Sequence, residues 1–261
     1  MPTGWDHPDT ARYYEAFCEA HGRYREANLA LTAAACLSPG LRVLDLGAGT
    51  GRTGELALHL GCHVTCIEPA HAMREVGCRR LPNALWLTDW PAPAEPFDRV
   101  MCGAAIWQLT PFAETLTHVA ELVKPGGAFA FNMPSLYLGE PDEPGGGSDP
   151  LLLELAARLA NGRTPAATAG EIPPGADAIE TLLQEAGFAP ARWCARRRLT
   201  QAALRDWMKI PVLTDALLDG TTADDRTALV DAAYAECDPA SWRWEAWTGW
   251  TAWKLTSARR S

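Results

Sequence analysis

Val43-Leu44-Asp45-Leu46-Gly47-Ala48-Gly49-Thr50-Gly51-Arg52 decides the fold. Arg42 to Leu46 is a short apolar run that reads as a strand, and the glycines behind it read as the turn that ends it. Glycine lets the backbone turn sharply from strand to helix and lets a ligand approach closely. The glycines stand at 47, 49 and 51, a G-x-G-x-G spacing rather than the dinucleotide G-x-G-x-x-G. An acid, Asp45, sits two positions before the first of them. A pyrophosphate would use a helix N-terminus as its anion site, and a carboxylate at this place suits an ammonium group better than a phosphate.

Outward from this stretch the pattern alternates. Thr53 to Leu60 reads as a helix closed by Gly61, His63 to Ile67 as a second strand and Ala72 to Arg80 as a second helix. Ala84 to Leu87 and Arg99 to Gly103 read as strands, Glu114 to Leu122 as a helix, Lys124-Pro-Gly-Gly127 as a turn and Ala128 to Asn132 as a strand. Strand–helix alternation argues a parallel, doubly wound sheet. Glu68 ends the second strand, about 20 residues after Asp45, the spacing at which an acid meets ribose hydroxyls. Its competing reading is a helix-capping or solvated acid, and the glycine turn ahead of it favours the ribose.

These segments, taken in order, resemble the class I S-adenosylmethionine (SAM)-dependent methyltransferases, in their small-molecule branch. The resemblance is close over residues 40–133 and loose elsewhere. Val43 to Gly51 matches the family's first motif. Cys66-Ile-Glu-Pro-Ala-His-Ala-Met73, Leu87-Thr-Asp-Trp90, Phe97 to Leu109 and Leu122 to Phe131 resemble its later strand motifs. The resemblance implies an α/β, Rossmann-like, doubly wound, mostly parallel seven-stranded sheet with helical insertions. It implies SAM as cofactor, held by Asp45, Gly47, Ala48, Gly49 and Gly103, with Glu68 at the ribose, Met73 beside the adenine, and Asp89 with Trp90 at the adenine amino group. Tyr14 joins them from an N-terminal segment that folds over the cofactor in similar enzymes. Many relatives carry a histidine in a segment like A-A-L-H-W-L. This chain has Ala105-Ile106-Trp107-Gln108, so no catalytic histidine is available there. Trp107 is the candidate acceptor contact, since an aromatic face attracts a sulfonium or a cationic acceptor; plain packing weighs equally. His7, Tyr14 and His21 are weak candidates for a proton acceptor or substrate contact. No catalytic residue is assigned, and no metal.

Thr10 to Leu37 carries apolar positions at helical spacing, broken by Ser38-Pro39-Gly40. After Met133 the alternation pauses. Gly139 to Gly147 is a Gly/Pro-rich loop, which inside a compact domain is usually functional, as a lid, or disordered; Leu151 to Leu159 reads as a helix, and Ala178 to Ala186 as another. Arg192 to Leu199 reads as a strand. Thr200 caps a helix from Gln201 to Lys209, which Pro211 stops, and Trp244 to Leu255 is the last strand. The expected organisation is one domain over 1–261, with 1–38 as a helical cap and 134–176 and 200–240 as insertions forming a substrate lid. Arg196-Arg197-Arg198 reads as a solvated strand edge, or as a basic patch for an acidic substrate.

Apolar residues make up 48% of the 261 and charged residues 21%, ordinary for a globular protein. The net charge of −9 disfavours nucleic acid, whose binders present a basic face. No apolar run approaches a membrane span. The 8 cysteines lack any C-x-x-C pair, so zinc spacing is missing, and buried thiols in a reducing cytoplasm are the simplest reading. The insertions are rich in Leu, Pro and Trp, which favours an apolar or aromatic small-molecule acceptor over a polymer. The expected reaction is methyl transfer from SAM to that acceptor. The alternatives are an enzyme that cleaves or cyclises SAM itself and a non-catalytic SAM-binding module; oligomeric state is left open.

Overall fold

The computed structural model describes residues 4–92, 95–139, 174–218, 221–237 and 242–256, together with 151, 154, 157 and 158. The chain divides into two compact units, one of Tyr24–Glu140, Glu171–Ala195 and Ala246–Ser261, the other of Met1–Arg23, Pro141–Gly170 and Arg196–Glu245.

Seven strands form one sheet: β1 (Arg42–Leu46), β2 (His63–Ile67), β3 (Leu85–Leu87), β4 (Phe97–Gly103), β5 (Val123–Pro134), β6 (Phe188–Thr200) and β7 (Trp242–Lys254). Their order is β3-β2-β1-β4-β5-β7-β6. β1 to β5 pair in parallel, and β7 runs antiparallel to β5. The helices are α1 (Pro8–Ala20), α2 (Arg23–Ala34), α3 (Arg52–His59), α4 (His71–Arg80), α5 (Phe112–Leu122), α6 (Ala176–Glu185), α7 (Gln201–Met208), α8 (Pro211–Leu218) and α9 (Ala223–Ala235). The α/β, mostly parallel seven-stranded sheet is the one the sequence predicts.

Successive strand side chains point to opposite faces, and β1 uses both. Val43 joins Leu31 of α2, Ala35 just after it, Ala57 of α3, Val64 and Met101 in one buried cluster. Leu44 and Leu46 join Phe129 and Phe131 of β5, Leu116 and Val119 of α5, and Ile179 and Leu183 of α6 in the other. A strand covered on both faces reads as a continuous apolar run, which is why Asp45 stands out in it.

Three local readings change. The helical lead-in is two helices, since α1 ends at Ala20 and His21 takes an extended conformation whose N–H still donates to Phe17 O. Gly22 follows, with the highest backbone entropy of any residue to lose in a helix. The Lys124–Gly127 turn lies inside β5 as an irregularity: the register with β4 shifts between Phe97 and Arg99, and Gly126 takes a positive φ of 77°. Pro211 ends α7 and also opens α8 as its first residue, where its missing N–H costs nothing.

In the second unit, Leu204, Met208, Leu218, Val230 and Ala233 form a cluster of their own with Leu151. Thr200 Oγ1 accepts from Ala203 N–H at 3.1 Å, capping α7 as the sequence predicts. Arg197 does not lie on a solvated edge: its Nε is 3.3 Å from Glu245 Oε2, both side chains being buried. Arg196 and Arg198 face water on either side of it, the period of two that a strand imposes. Among the described residues no helix is long and apolar enough to cross a membrane.

Gly77 in α4 shows how tightly the helices sit. A Cβ there would meet the Trp86 ring at 2.2 Å, and that ring is anchored by its Nε1 donating to Leu81 O at 3.3 Å. Alanine improves helix propensity by about 1 kcal/mol, whereas overpacking costs about 1–3 kcal/mol. Gly77→Ala therefore destabilises the protein, read as a lower urea midpoint. A raised midpoint would show that Trp86 is free to move aside.

Candidate functional site

The chain leaves β1 for β2 on one side and returns on the other at β4, so the segments after β1 and β4 face a common crevice, the place where open α/β sheets bind ligands. The two segments touch. Gly47 has φ 68°, and a Cβ on it would lie 2.8 Å from Ala105 Cβ, so positive φ and close approach both require glycine. Ala104 also has a positive φ, 56°, which costs a non-glycine residue about 1 kcal/mol or more. Its N–H donates to Asn132 Oδ1 at 3.0 Å, while Asn132 Nδ2 donates to Ala27 O at 3.0 Å. This buried asparagine on β5 ties the end of β4 to α2.

Glu68 follows β2 and is 8% exposed. Its Oε2 accepts from Gly49 N–H and its Oε1 from Ala70 N–H, each at 2.8 Å. Burial raises its pKa, opposed by these two bonds and by the Arg74 charge. Each carboxylate oxygen can accept a further bond, the capacity needed to take a pair of vicinal hydroxyls. Met73, buried in α4, brings its methyl carbon within 3.5 Å of where a Gly49 Cβ would sit. Ala48 N–H donates to Ile67 O at 2.9 Å. The loop, Glu68 and Met73 thus form one constellation, as the sequence predicts for those residues as a group.

Asp45 is 1% exposed. Its Oδ2 accepts from Gly54 N–H of α3 at 2.8 Å, and its Oδ1 is buried with no hydrogen-bond partner. Desolvation raises its pKa to about 7, moderated by the Gly54 bond and increased by the Glu68 charge. Thr50 Oγ1 and Asn28 Oδ1 are also buried without partners. Buried polar atoms are nearly always satisfied, and exceptions mark ligand positions or strain. The unmatched carboxylate oxygen beside a glycine turn fits a ligand carrying an ammonium group.

The other sequence candidates spread out. Asp89 follows β3, is exposed, and its Oδ1 accepts from the N–H of Trp90 at 2.7 Å. Trp90 packs on the buried cluster that contains Leu44, with His118 5.2 Å from its ring. Trp107 lies in a 3₁₀ turn, Ile106–Gln108, and one face of its ring is stacked on Tyr137 at 4.8 Å and 21°. Gly103 ends β4. Tyr14 belongs to the other unit, where Trp5 packs edge-on against it at 6.0 Å. His7 Nδ1 accepts from Asp9 N–H and caps α1. His21 Nε2 pairs with Asp206 at 2.9 Å. Half-buried Asp206 is held at about 2, against the upward push of burial, by bonds from Arg205 and His21. The thiols are not uniformly buried, since Cys36, Cys78 and Cys194 are exposed. The expected loop 139–147, apart from Gly139, lies outside the described residues, and of the expected helix 151–159 only 151, 154, 157 and 158 are described. Asn28 and Asn132 carry no signal in the sequence, since they sit on elements that only the fold brings to the crevice; Thr50 and Thr53 lie in or beside the glycine motif but are not singled out by it.

The sequence pattern of the family described as a methyltransferase domain matches residues 18–192, more than half of the chain. The chain belongs to that family. It is 30% identical over 136 residues to a demethylmenaquinone methyltransferase of Tropheryma whipplei, covering 45% of this chain and 57% of that one. It is 31% identical over 173 residues to a trans-aconitate 2-methyltransferase of Azoarcus sp., covering 62% of each. The chain thus spans only somewhat over half the length of these curated relatives. The fold superposes on a putative methyltransferase from Bacillus halodurans with TM-score 0.58 at 15% identity, over 88% of this chain and 100% of that one.

For this methyltransferase domain, burying Asp45 has a measurable cost. With its pKa raised, the folded state keeps a proton between about pH 4 and pH 7 that the unfolded chain has released. Stability therefore falls as pH rises through that window. Asp45→Asn abolishes this contribution, so the variant gains on the parent from pH 4 to pH 7 in chemical denaturation. Parallel stability curves across the window would mean that Asp45 ionises freely.

Proposed function

We propose that this chain transfers a methyl group from SAM to a small-molecule acceptor, leaving S-adenosylhomocysteine. The observation that carries the reading is the junction of the glycine loop and Glu68. An acid at the end of β2 accepts from Gly49 N–H, while a second acid at the end of β1 keeps a buried oxygen without a partner. Ribose hydroxyls donate to Glu68, and the ammonium of the methionine end pairs with Asp45. Met73 packs beside the adenine next to Gly49, Asp89 and Trp90 border its far edge, and Gly47, Ala48 and Gly103 give backbone room.

When bound, SAM supplies a methyl group on a positively charged sulfur, and the transfer is an in-line displacement that removes this charge. The protein's part is to align donor and acceptor and to exclude water. A base is needed only when the acceptor's nucleophile carries a proton, so the lack of a histidine at Trp107 is no obstacle. The stacked rings of Trp107 and Tyr137, with Leu136 64% exposed beside them, offer an apolar wall after β4 and β5. That wall supports an apolar or aromatic acceptor. The names of the two curated relatives point to different acceptors, so membership of the family leaves the choice to such local features.

Three measurements test this. Glu68→Ala weakens SAM binding in calorimetry by about 1–3 kcal/mol, the scale of a hydrogen bond to a charged group; an unchanged affinity removes the ribose assignment. Incubation with SAM and candidate acceptors yields S-adenosylhomocysteine, whereas accumulation of methylthioadenosine would instead make the chain an enzyme acting on SAM itself. Trp107→Ala lowers turnover more than SAM affinity, and Trp107→Phe restores part of it by keeping a smaller π face. An Ala variant with normal turnover would place the acceptor elsewhere.

A further inference from the structure

Asn28 lies on α2, ahead of the glycine turn and the later strand motifs, and is 4% exposed. Its Oδ1 is buried without a hydrogen-bond partner. The position of that oxygen is defined by Gly103, the last residue of β4. A Cβ on Gly103 would meet Thr53 Oγ1 at 2.6 Å and Asn28 Oδ1 at 2.9 Å, so both polar groups crowd the same α-carbon. Thr53 precedes Gly54, whose N–H holds Asp45 Oδ2. Strand register places Asp45 opposite Met101, two residues before Gly103. Two acceptor oxygens without donors, an amide and a carboxylate, therefore flank the ends of adjacent strands.

This placement is enforced. Asn132 binds Ala27 O with its Nδ2 and Ala104 N–H with its Oδ1, fixing the residues next to Asn28 and Gly103 by one buried side chain. Farther along α2, Ala34 O accepts from Thr251 Oγ1 at 3.1 Å. An amide oxygen held rigidly out of water with no donor is unfavourable unless a ligand brings one. A group that satisfies Asn28 and Asp45 together must be rich in N–H, must carry no lone pair to repel them, and must be cationic to suit Asp45. An alkylammonium has these properties, with three donors and no acceptor.

We propose that Asn28 is a cofactor-binding residue that accepts a hydrogen bond from the ammonium of the methionine end, beside Asp45. The assignment rests on the SAM reading above and adds a residue of α2 to it. Gly103 must then be glycine, because a side chain there would push the amide oxygen away from the ligand.

The test compares ligands with and without the amino-acid end. S-adenosylhomocysteine carries the ammonium; methylthioadenosine keeps the adenosine and lacks it. Asn28→Ala lowers the affinity for S-adenosylhomocysteine about tenfold in calorimetry, the scale of a lost bond to a charged group, and leaves methylthioadenosine unchanged. Asn28→Asp, which keeps an acceptor oxygen, retains S-adenosylhomocysteine binding better than Ala. In the unsubstituted protein the side-chain amide resonance of Asn28 shifts on adding S-adenosylhomocysteine and not on adding methylthioadenosine, a readout independent of how the variants fold. Wild-type affinity in Asn28→Ala, equal losses for both ligands, or an amide resonance that responds equally to both would overturn the assignment while leaving the SAM reading intact. Failure of the unsubstituted protein to bind either ligand would overturn both.

Discussion

The site depends on the register of β1. This strand is buried on both faces and pairs with β2 from Arg42↔His63 to Leu46↔Ile67 and with β4 from Val43↔Arg99 to Asp45↔Met101. Because strand side chains alternate, a slip of one residue would turn Val43 into the cluster of Leu44 and drive Asp45 among the phenylalanines of β5. The apolar residues hold the strand in the one register that leaves its single carboxylate beside α3, where a backbone N–H meets it. Hydrophobic packing, which carries no chemical specificity of its own, is here the force that aims a charge.

From that register the rest of the crevice follows through backbone contacts rather than side-chain networks. Gly47 against Ala105, Gly49 N–H on Glu68 and Gly54 N–H on Asp45 are all main-chain positions. A site framed by backbone is insensitive to rotamer choice and leaves polar atoms aimed inward. Its cost is local. Ala104 is held in a left-handed conformation, and Asp45 is kept from water without a counter-charge among its described hydrogen bonds. Such departures from local preference concentrate where a ligand is handled.

What the sequence made legible follows from the range of each interaction. β1, β2 and the glycine turn are read correctly to the residue because continuous apolar runs and glycine spacing are local signals. Glu68 is legible for the same reason. The break at His21-Gly22 is missed because helical periodicity runs through it, and only a lone glycine marks the interruption. The turn at Lys124–Gly127 has the right chemistry, yet its absorption into β5 depends on how β4 accommodates extra residues. Arg197 is misread as solvated because its carboxylate, Glu245, is distant in sequence. Asn28 and Asn132 are invisible for the same cause, since each matters only through residues that three-dimensional packing brings to it.

The pairing of Arg23 with Glu245 carries a consequence for how the protein is made. The guanidinium makes three bonds to that carboxylate across a separation of 222 residues, and the unit containing it is assembled from three stretches of chain interrupted by the other unit. On the ribosome, Arg23 emerges well before its partner, 222 residues further on. The unit of β1 to β5 has most of its sequence available early, whereas the other cannot close until β7 begins to leave the exit tunnel. Synthesis therefore imposes a timetable in which Arg23 waits for Glu245. It also means that no single cut in the gene can express the smaller unit as one uninterrupted piece.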